Sequence, residues 1–387
     1  MSVFDALVGQ EPVVAELSAA TAAAADTLAG GTERGMTHAW LFTGPPGSGR
    51  STAARAFAAA LQCERHGCGK CDDCRTVLAG THADVEVLRP AGLSFSVAEA
   101  RRLVHQAAMS PSGRRWQIVL FEDADRMTEQ AANALLKAIE EPAQRTVWLL
   151  CTPAADDLVV TIRSRCRLVT MRTPPTRAIA DMLVETDGVE PEMAAFAARA
   201  AQGHIGRARR LATDERSRQR RSDVLRVPLA VGEIGATLQA AAALVDAAQD
   251  DAAATSDELD EPETAALRRA LGDGTEGRSM PRGTTGALRD LERQQKSRAT
   301  RVKRDSLDRA LLDLASFYRD ALIMQTGAQV ELQNEELRDQ ISSYAGTSTA
   351  TTTLRRLEAI MVCRERIDAN VNALLAVESL ALSLRAA

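Results

Sequence analysis

The sequence predicts an α/β nucleotide-binding core with a parallel sheet, followed by an all-α remainder. Short apolar runs at 39–43, 84–89, 116–121, 146–152 and 167–171 alternate with helical stretches, the pattern of a parallel sheet covered by helices. A glycine-rich loop directly follows the first run. Beyond Pro174-Pro175 the strand pattern stops, and every structured segment has helical spacing.

In chain order, Val8-Gly9-Gln10-Glu11 precedes an Ala-rich helix from Pro12 to about Leu28, broken by Gly30-Gly31-Thr32. The strand 39–43 enters Gly44-Pro45-Pro46-Gly47-Ser48-Gly49-Arg50-Ser51, and a helix over 52–61 leaves it. Ser96 with Glu99 three residues on is a capping box for a helix through Met109. The run 116–121 is almost continuously apolar, as buried parallel strands are, and ends in Glu122-Asp123-Ala124-Asp125. Thr128 caps a helix to Glu141, which Pro142 ends; a short helix over 158–163 joins the last two strands. Three short helices follow at 176–186, 191–202 and 206–213. The stretch Asp250–Glu263 has seven acids and no base, and 250–286 reads as a disordered acidic insertion. A helix resumes near 287. Leu307, Leu311, Leu314 and Tyr318 share one stripe; Ile367, Val371, Leu374 and Leu384 are assigned to another.

Size and composition narrow the function classes. A chain of 387 residues holds two or three domains with real cores. Only four of its 47 basic residues are Lys, a bias read as genomic composition. A net charge of -5 argues against a protein that coats nucleic acid over its whole surface. No run of 18 apolar residues marks a membrane span, and Met1–Glu11 lacks the basic region of a signal peptide, so a cytoplasmic location is expected.

The loop Gly44–Ser51 has the spacing of a phosphate cradle, where backbone N–H groups at a helix start face an anion. Arg50 stands at the position of the usual Lys, and a planar fork is no conservative exchange for a point charge. An acidic pair after the third strand is where such folds hold Mg²⁺ and activate water, but here Glu122 precedes Asp123, the reverse of the usual order. A misplacement of about 1 Å can cost on the order of a hundredfold in rate. The residues alone leave binding without turnover and an empty structural turn both open; they count against hydrolysis. Cys63-x4-Cys68-x2-Cys71-x2-Cys74 can surround one ion tetrahedrally, with Zn²⁺ the default for four thiolates in a closed structural site; a reduced, metal-free cluster is the alternative. Cys151, Cys166 and Cys363 read as isolated thiols. The basic run Arg289, Arg293, Lys296, Arg298, Arg301, Lys303, Arg304 reads as a solvated helix face.

Together the Val8–Glu11 motif, the loop, the four cysteines, Asn133–Pro142 and Ser164-Arg165-Cys166 resemble bacterial clamp-loader subunits of the AAA+ family, over about the first 210 residues. The resemblance implies an AAA+ core at 1–172 with a zinc module at 63–74, a three-helix lid at 173–214 and a helical collar at 215–387. It implies that Arg165 acts in trans on a nucleotide held by a neighbour, and that Thr152 occupies the first sensor position. The implied partners are gamma/tau and delta clamp-loader subunits in a hetero-pentamer, the sliding clamp, and primed DNA through the complex. A motor-type member keeps Lys in its loop, an Asp-Glu pair, and a lid arginine in a Gly-x-x-Arg pattern. Here Gly203-His204-Ile205-Gly206 puts Arg207 one position late, a turn of about 100° on a helix. These departures imply the non-hydrolysing type, with ATP and Mg²⁺ doubtful ligands. The rivals are a gamma/tau-like ATPase and an AAA+ regulator outside replication.

Overall fold

The computed structural model describes residues 2–31, 35–90, 92–109, 111–113, 115–230, 234–270 and 284–386. The chain divides into two compact units, Met1–Pro90 with Ser94–Thr213, and Ala91–Leu93 with Asp214–Ala387.

The first unit runs α1 (Glu11–Leu28), β1 (Ala39–Thr43), α2 (Arg50–Gln62), α3 (Asp72–Ala79), β2 (Val85–Leu88), α4 (Val97–Ala107), β3 (Gln117–Phe121), α5 (Glu129–Glu140), β4 (Thr146–Thr152), α6 (Val160–Arg163) and β5 (Arg167–Thr170). The strands form one sheet in the order β2-β3-β4-β1-β5. Every pairing is parallel. Strand side chains alternate between faces, so β1 feeds two cores: Trp40 and Phe42 join the cluster under α1 and α2, Ala39 and Leu41 the one under α4 and α5. Burial on both faces is why β1, β3 and β4 read as nearly continuous apolar runs, whereas the edge strands β2 and β5 are only partly buried. Trp40 meets Phe57 of α2 edge-on, centroids 4.9 Å apart. The capping box forms as expected, with the Ser96 hydroxyl accepting from the Glu99 N–H and the Glu99 carboxylate from the Ser96 N–H. Such caps contribute about 1 kcal/mol. The register aligns Thr43 with Thr152 and Thr170, so three strands end level beside the glycine loop.

In the same unit, α7 (Thr176–Asp187), α8 (Pro191–Ala200) and α9 (Ile205–Thr213) pack around Ile179, Leu183, Ala197 and Leu211. The Gln10 motif belongs to their base. Its buried amide donates to the Arg172 carbonyl at 2.6 Å and accepts the Arg172 N–H at 3.2 Å. Gly9, at φ 68°, leaves no room for a Cβ, which would lie 2.8 Å from Pro175 Cδ.

The second unit is helical among its described residues: α10 (Glu215–Ala230), α11 (Ile234–Ala270), α12 (Thr284–Thr326), α13 (Arg338–Thr347), α14 (Ala350–Asp368) and α15 (Ala373–Ala386). Its core holds Leu244, Leu307, Leu311, Leu314, Phe317, Tyr318, Ile360 and Leu384. Buried Asp320 accepts both the N–H and the side-chain amide of Asn334 at 2.8 Å, tying the segment after α12 to that helix.

Two expectations fail here. Residues 250–270 are not a disordered insertion but continue α11 through Pro262. The acids alone lack a hydrophobic reason to order, but α12 supplies charge partners. Arg298 reaches Asp260 at 2.6 Å and Glu263 at 2.7 and 2.8 Å, and the Gln295 amide donates to the Asp260 carbonyl. Residues 271–283 of that expectation lie outside the described residues, and 284–286 open α12. The second stripe also breaks. Ile367 and Leu384 are buried, whereas Val371 and Leu374 are exposed. The chain turns at Asn370, at φ 65°, so helical spacing does not carry across 369–372.

Candidate functional site

The glycine loop leaves β1 and enters α2 through three residues that need positive φ, Gly44 at 145°, Gly47 at 84° and Gly49 at 95°. Neighbouring groups of the protein lie close against it. Arg50 turns its guanidinium inward, donating from Nη1 to the Gly44 carbonyl of its own loop. Burial lowers the Arg50 pKa from its usual value, opposed by the charges of Cys151, Asp123 and Asp125. A Cβ on Gly47 would lie 2.3 Å from Cγ of His204, the residue just before α9, and one on Gly44 2.5 Å from the Met171 carbonyl oxygen. His204 is itself fixed, its Nδ1 accepting the Arg207 N–H at 3.2 Å. Ser48 Oγ is buried with no hydrogen-bond partner among the described residues.

The acidic pair is equally engaged. Glu122, at the end of β3, lies between two arginines: Oε1 takes Arg55 at 2.9 Å, and Oε2 takes Arg89 at 2.7 and 2.6 Å. Its side chain is 3% exposed. Asp123 follows in the left-handed region at φ 54°, which turns the chain away from the strand direction. Burial raises the Asp125 pKa. Thr152 is buried, its hydroxyl between the Ala154 carbonyl at 3.1 Å and Asp157 Oδ2 at 3.3 Å. Pro45 and Pro46 shape the loop, the Pro45 carbonyl accepting the Ser48 N–H at 3.1 Å. Ser51 lies in the first turn of α2, beside the buried Cys151 thiol. Neither Arg55 nor Arg89 is visible in the sequence as a partner for Glu122, since they lie 67 and 33 residues away. His204 was read only as part of a shifted motif.

The four cysteines converge. Their sulfurs lie within 4.8 Å of one another, with Cys63 Sγ 3.7 Å from Cys68 Sγ and 3.6 Å from Cys71 Sγ. Four thiolates around one Zn²⁺ are about 3.8 Å apart. Backbone N–H groups already point at them: Arg65 and Cys68 donate to Cys63 Sγ, and Cys74 to Cys71 Sγ. The N–H groups of Lys70 and Cys71 pull the Cys68 thiol down to about 6. Cys71 also caps α3, which sequence spacing did not reveal. His66 stays exposed and outside the cluster. The other three thiols stand apart, Cys151 and Cys363 buried and Cys166 half-buried. Burial raises each, Cys166 to about 12 and Cys363 to about 11.

Arg165, just past α6, is 38% exposed. Its Nη2 meets Glu140 at 2.5 Å, and its Nη1 donates to the Thr161 carbonyl at 2.7 Å and the Ser164 hydroxyl at 3.2 Å. Glu140 lies on α5, within the Asn133–Pro142 stretch.

A five-stranded parallel sheet, a glycine-rich loop at the end of β1 and three packed helices mark the first unit, and the second is all-α among its described residues. Residues 24–175 match the family model described as DNA polymerase III, delta subunit, and residues 300–386 the one described as DNA polymerase III, delta subunit, C terminal. The delta-prime subunit of Bacillus subtilis DNA polymerase III is 35% identical over 162 residues, 41% of this chain and 49% of the relative. A gamma/tau subunit of Mycobacterium tuberculosis is 30% identical over 201 residues, 50% of this chain and 33% of the relative. The chain thus spans less than half the length of these curated relatives. A solved gamma-subunit-related protein from Thermotoga maritima aligns at TM-score 0.40 and 17% identity, covering 90% of this chain and 94% of that one. Its sequence matches are thus to delta, delta-prime and gamma/tau subunits of DNA polymerase III. Among the described residues no helix is long and apolar enough to cross a membrane.

Proposed function

We propose that the protein is a delta-prime-type clamp-loader subunit that does not itself hydrolyse ATP. In this reading it works in the cytoplasm beside gamma/tau and delta subunits in a hetero-pentamer. It helps load the sliding clamp on primed DNA, and Arg165 serves the nucleotide of a neighbouring subunit. A guanidinium supplied in trans stabilises transition-state charge and is worth roughly a thousandfold or more in rate. One structural Zn²⁺ is held by Cys63, Cys68, Cys71 and Cys74, closing the knuckle between α2 and α3. It supplies cross-linking, not chemistry, because four thiolates leave no open position.

The observation that carries the non-hydrolytic reading is the state of the acid at β3. A carboxylate that is to position metal or water has to be available, and Glu122 is committed to Arg55 and Arg89. The inward Arg50 and the His204 contact on Gly47 support it independently. The second reading, a gamma/tau-like ATPase, draws on the 30% identity to a gamma/tau subunit. Titration of the isolated chain with a fluorescent ATP analogue, followed by an ATPase assay with clamp and primed DNA, separates them. No turnover is expected; turnover abolished by Arg50→Ala establishes the second reading instead.

A further inference from the structure

The exposed arginine is held in place. A guanidinium carries five N–H donors, and three of those on Arg165 are engaged from two elements: Nη2 by the Glu140 carboxylate of α5, and Nη1 by the Thr161 carbonyl and the Ser164 hydroxyl at the end of α6. The Nε–H and one Nη2–H remain without a partner among the described residues. Two N–H groups on one planar fork are what a phosphate grips through two oxygens. A long arginine side chain otherwise carries about 2 kcal/mol of rotamer entropy, lost whenever it must be fixed at the moment of reaction.

We infer that Glu140 is the positioning residue for Arg165. Its carboxylate takes one end of the guanidinium and pre-orders the donors left over for a phosphate held by a neighbouring subunit. This rests on the trans role given to Arg165 above. Both side chains are near 40% exposed, Arg165 at 38% and Glu140 at 40%, so the pair is accessible and screened by salt. It orients the arginine more than it stabilises the fold.

The test uses the full loader complex reconstituted with its ATPase subunits, clamp and primed DNA. Glu140→Ala should lower kcat for ATP about three- to fivefold, the coupling typical of an exposed ion pair, with KM unchanged. The deficit should shrink at high salt. Glu140→Gln, which keeps an acceptor, should recover part of the rate and covers the case in which the alanine variant folds poorly. In an Arg165→Ala background, Glu140→Ala should have no further effect, since the two act as a unit. If Arg165→Ala lowers the rate and neither Glu140 variant does, the positioning role is overturned and the trans arginine stands. A rate raised by Glu140→Ala overturns it too, making the carboxylate a competitor for the arginine. If Arg165→Ala itself leaves the rate unchanged, the trans role fails and the positioning role goes with it.

Discussion

Replacing Glu122 by Gln keeps the side-chain shape and removes its charge. The wild-type carboxylate receives Arg55 Nε and Nη2 on one oxygen, both at 2.9 Å, and Arg89 Nε and Nη2 on the other at 2.7 and 2.6 Å. Gln exchanges one oxygen for an NH₂ group, so two of these four contacts become donor against donor. A hydrogen bond to a charged group contributes roughly 1.5–3 kcal/mol when both partners are desolvated. Here the arginine side chains are 31% and 59% exposed and recover water, while the acid is buried. The net loss is therefore about 2 kcal/mol. For a unit of this size that lowers Tm by roughly 4–8 °C. Differential scanning calorimetry or urea titration reads it directly, and Arg55→Ala and Arg89→Ala in a double-mutant cycle should show coupling to Glu122. A carboxylate kept for metal or water would behave in the opposite way. Its neutralisation would leave stability unchanged or higher and would reduce Mg²⁺-nucleotide binding; that outcome refutes the structural role argued for Glu122.

Other outcomes follow from the same geometry. Elemental analysis should find about one zinc per chain, and Cys74→Ser should lose it and unfold the knuckle, because metal binding and local folding are one equilibrium. Arg50→Lys should not create an ATPase, since Glu122 and His204 remain as they are; measurable turnover would show that the loop residue alone was limiting. Arg298 lowers the Glu263 pKa, chiefly by hydrogen bonding. A carboxylate depressed in the folded state contributes stability above its unfolded pKa and loses it as pH falls through the folded one. The far part of the α11–α12 pair should therefore loosen in acid, as pH falls below the ordinary glutamate range of about 4.3, seen as a loss of helical ellipticity that Arg298→Ala removes.

What could be read from the residues was what local spacing and burial determine. The runs of β1, β3 and β4 are legible because both faces of the sheet's centre are covered, and the edge strands β2 and β5 because they alternate with helical stretches. Ser96 with Glu99, and four cysteines at knuckle spacing, signal short-range geometry that any context would allow. What failed was set at long range. The acids of α11 are ordered by Arg298, 35 and 38 residues away in the chain. The stripe through Val371 broke because an exposed turn at Asn370 resets the helical phase. At the site, the order Glu122-Asp123 indicated an altered pair but not its occupants, which come from α2 and from just beyond β2. The grip on Arg165 was hidden for the same reason, since Glu140 belongs to another helix.

The contact between His204 and Gly47 has a mechanical side. Where a glycine's missing side chain is replaced by a residue from another element, the two are keyed together like a tongue in a groove. Three more fittings lie along the same seam: Gly203 against Thr173, Gly9 against Pro175, and the Gln10 amide on the Arg172 backbone. These fittings tie the α7–α9 group to the core through the chain's own residues. Any side chain at Gly47 would both strain the loop, at φ 84°, and press on His204.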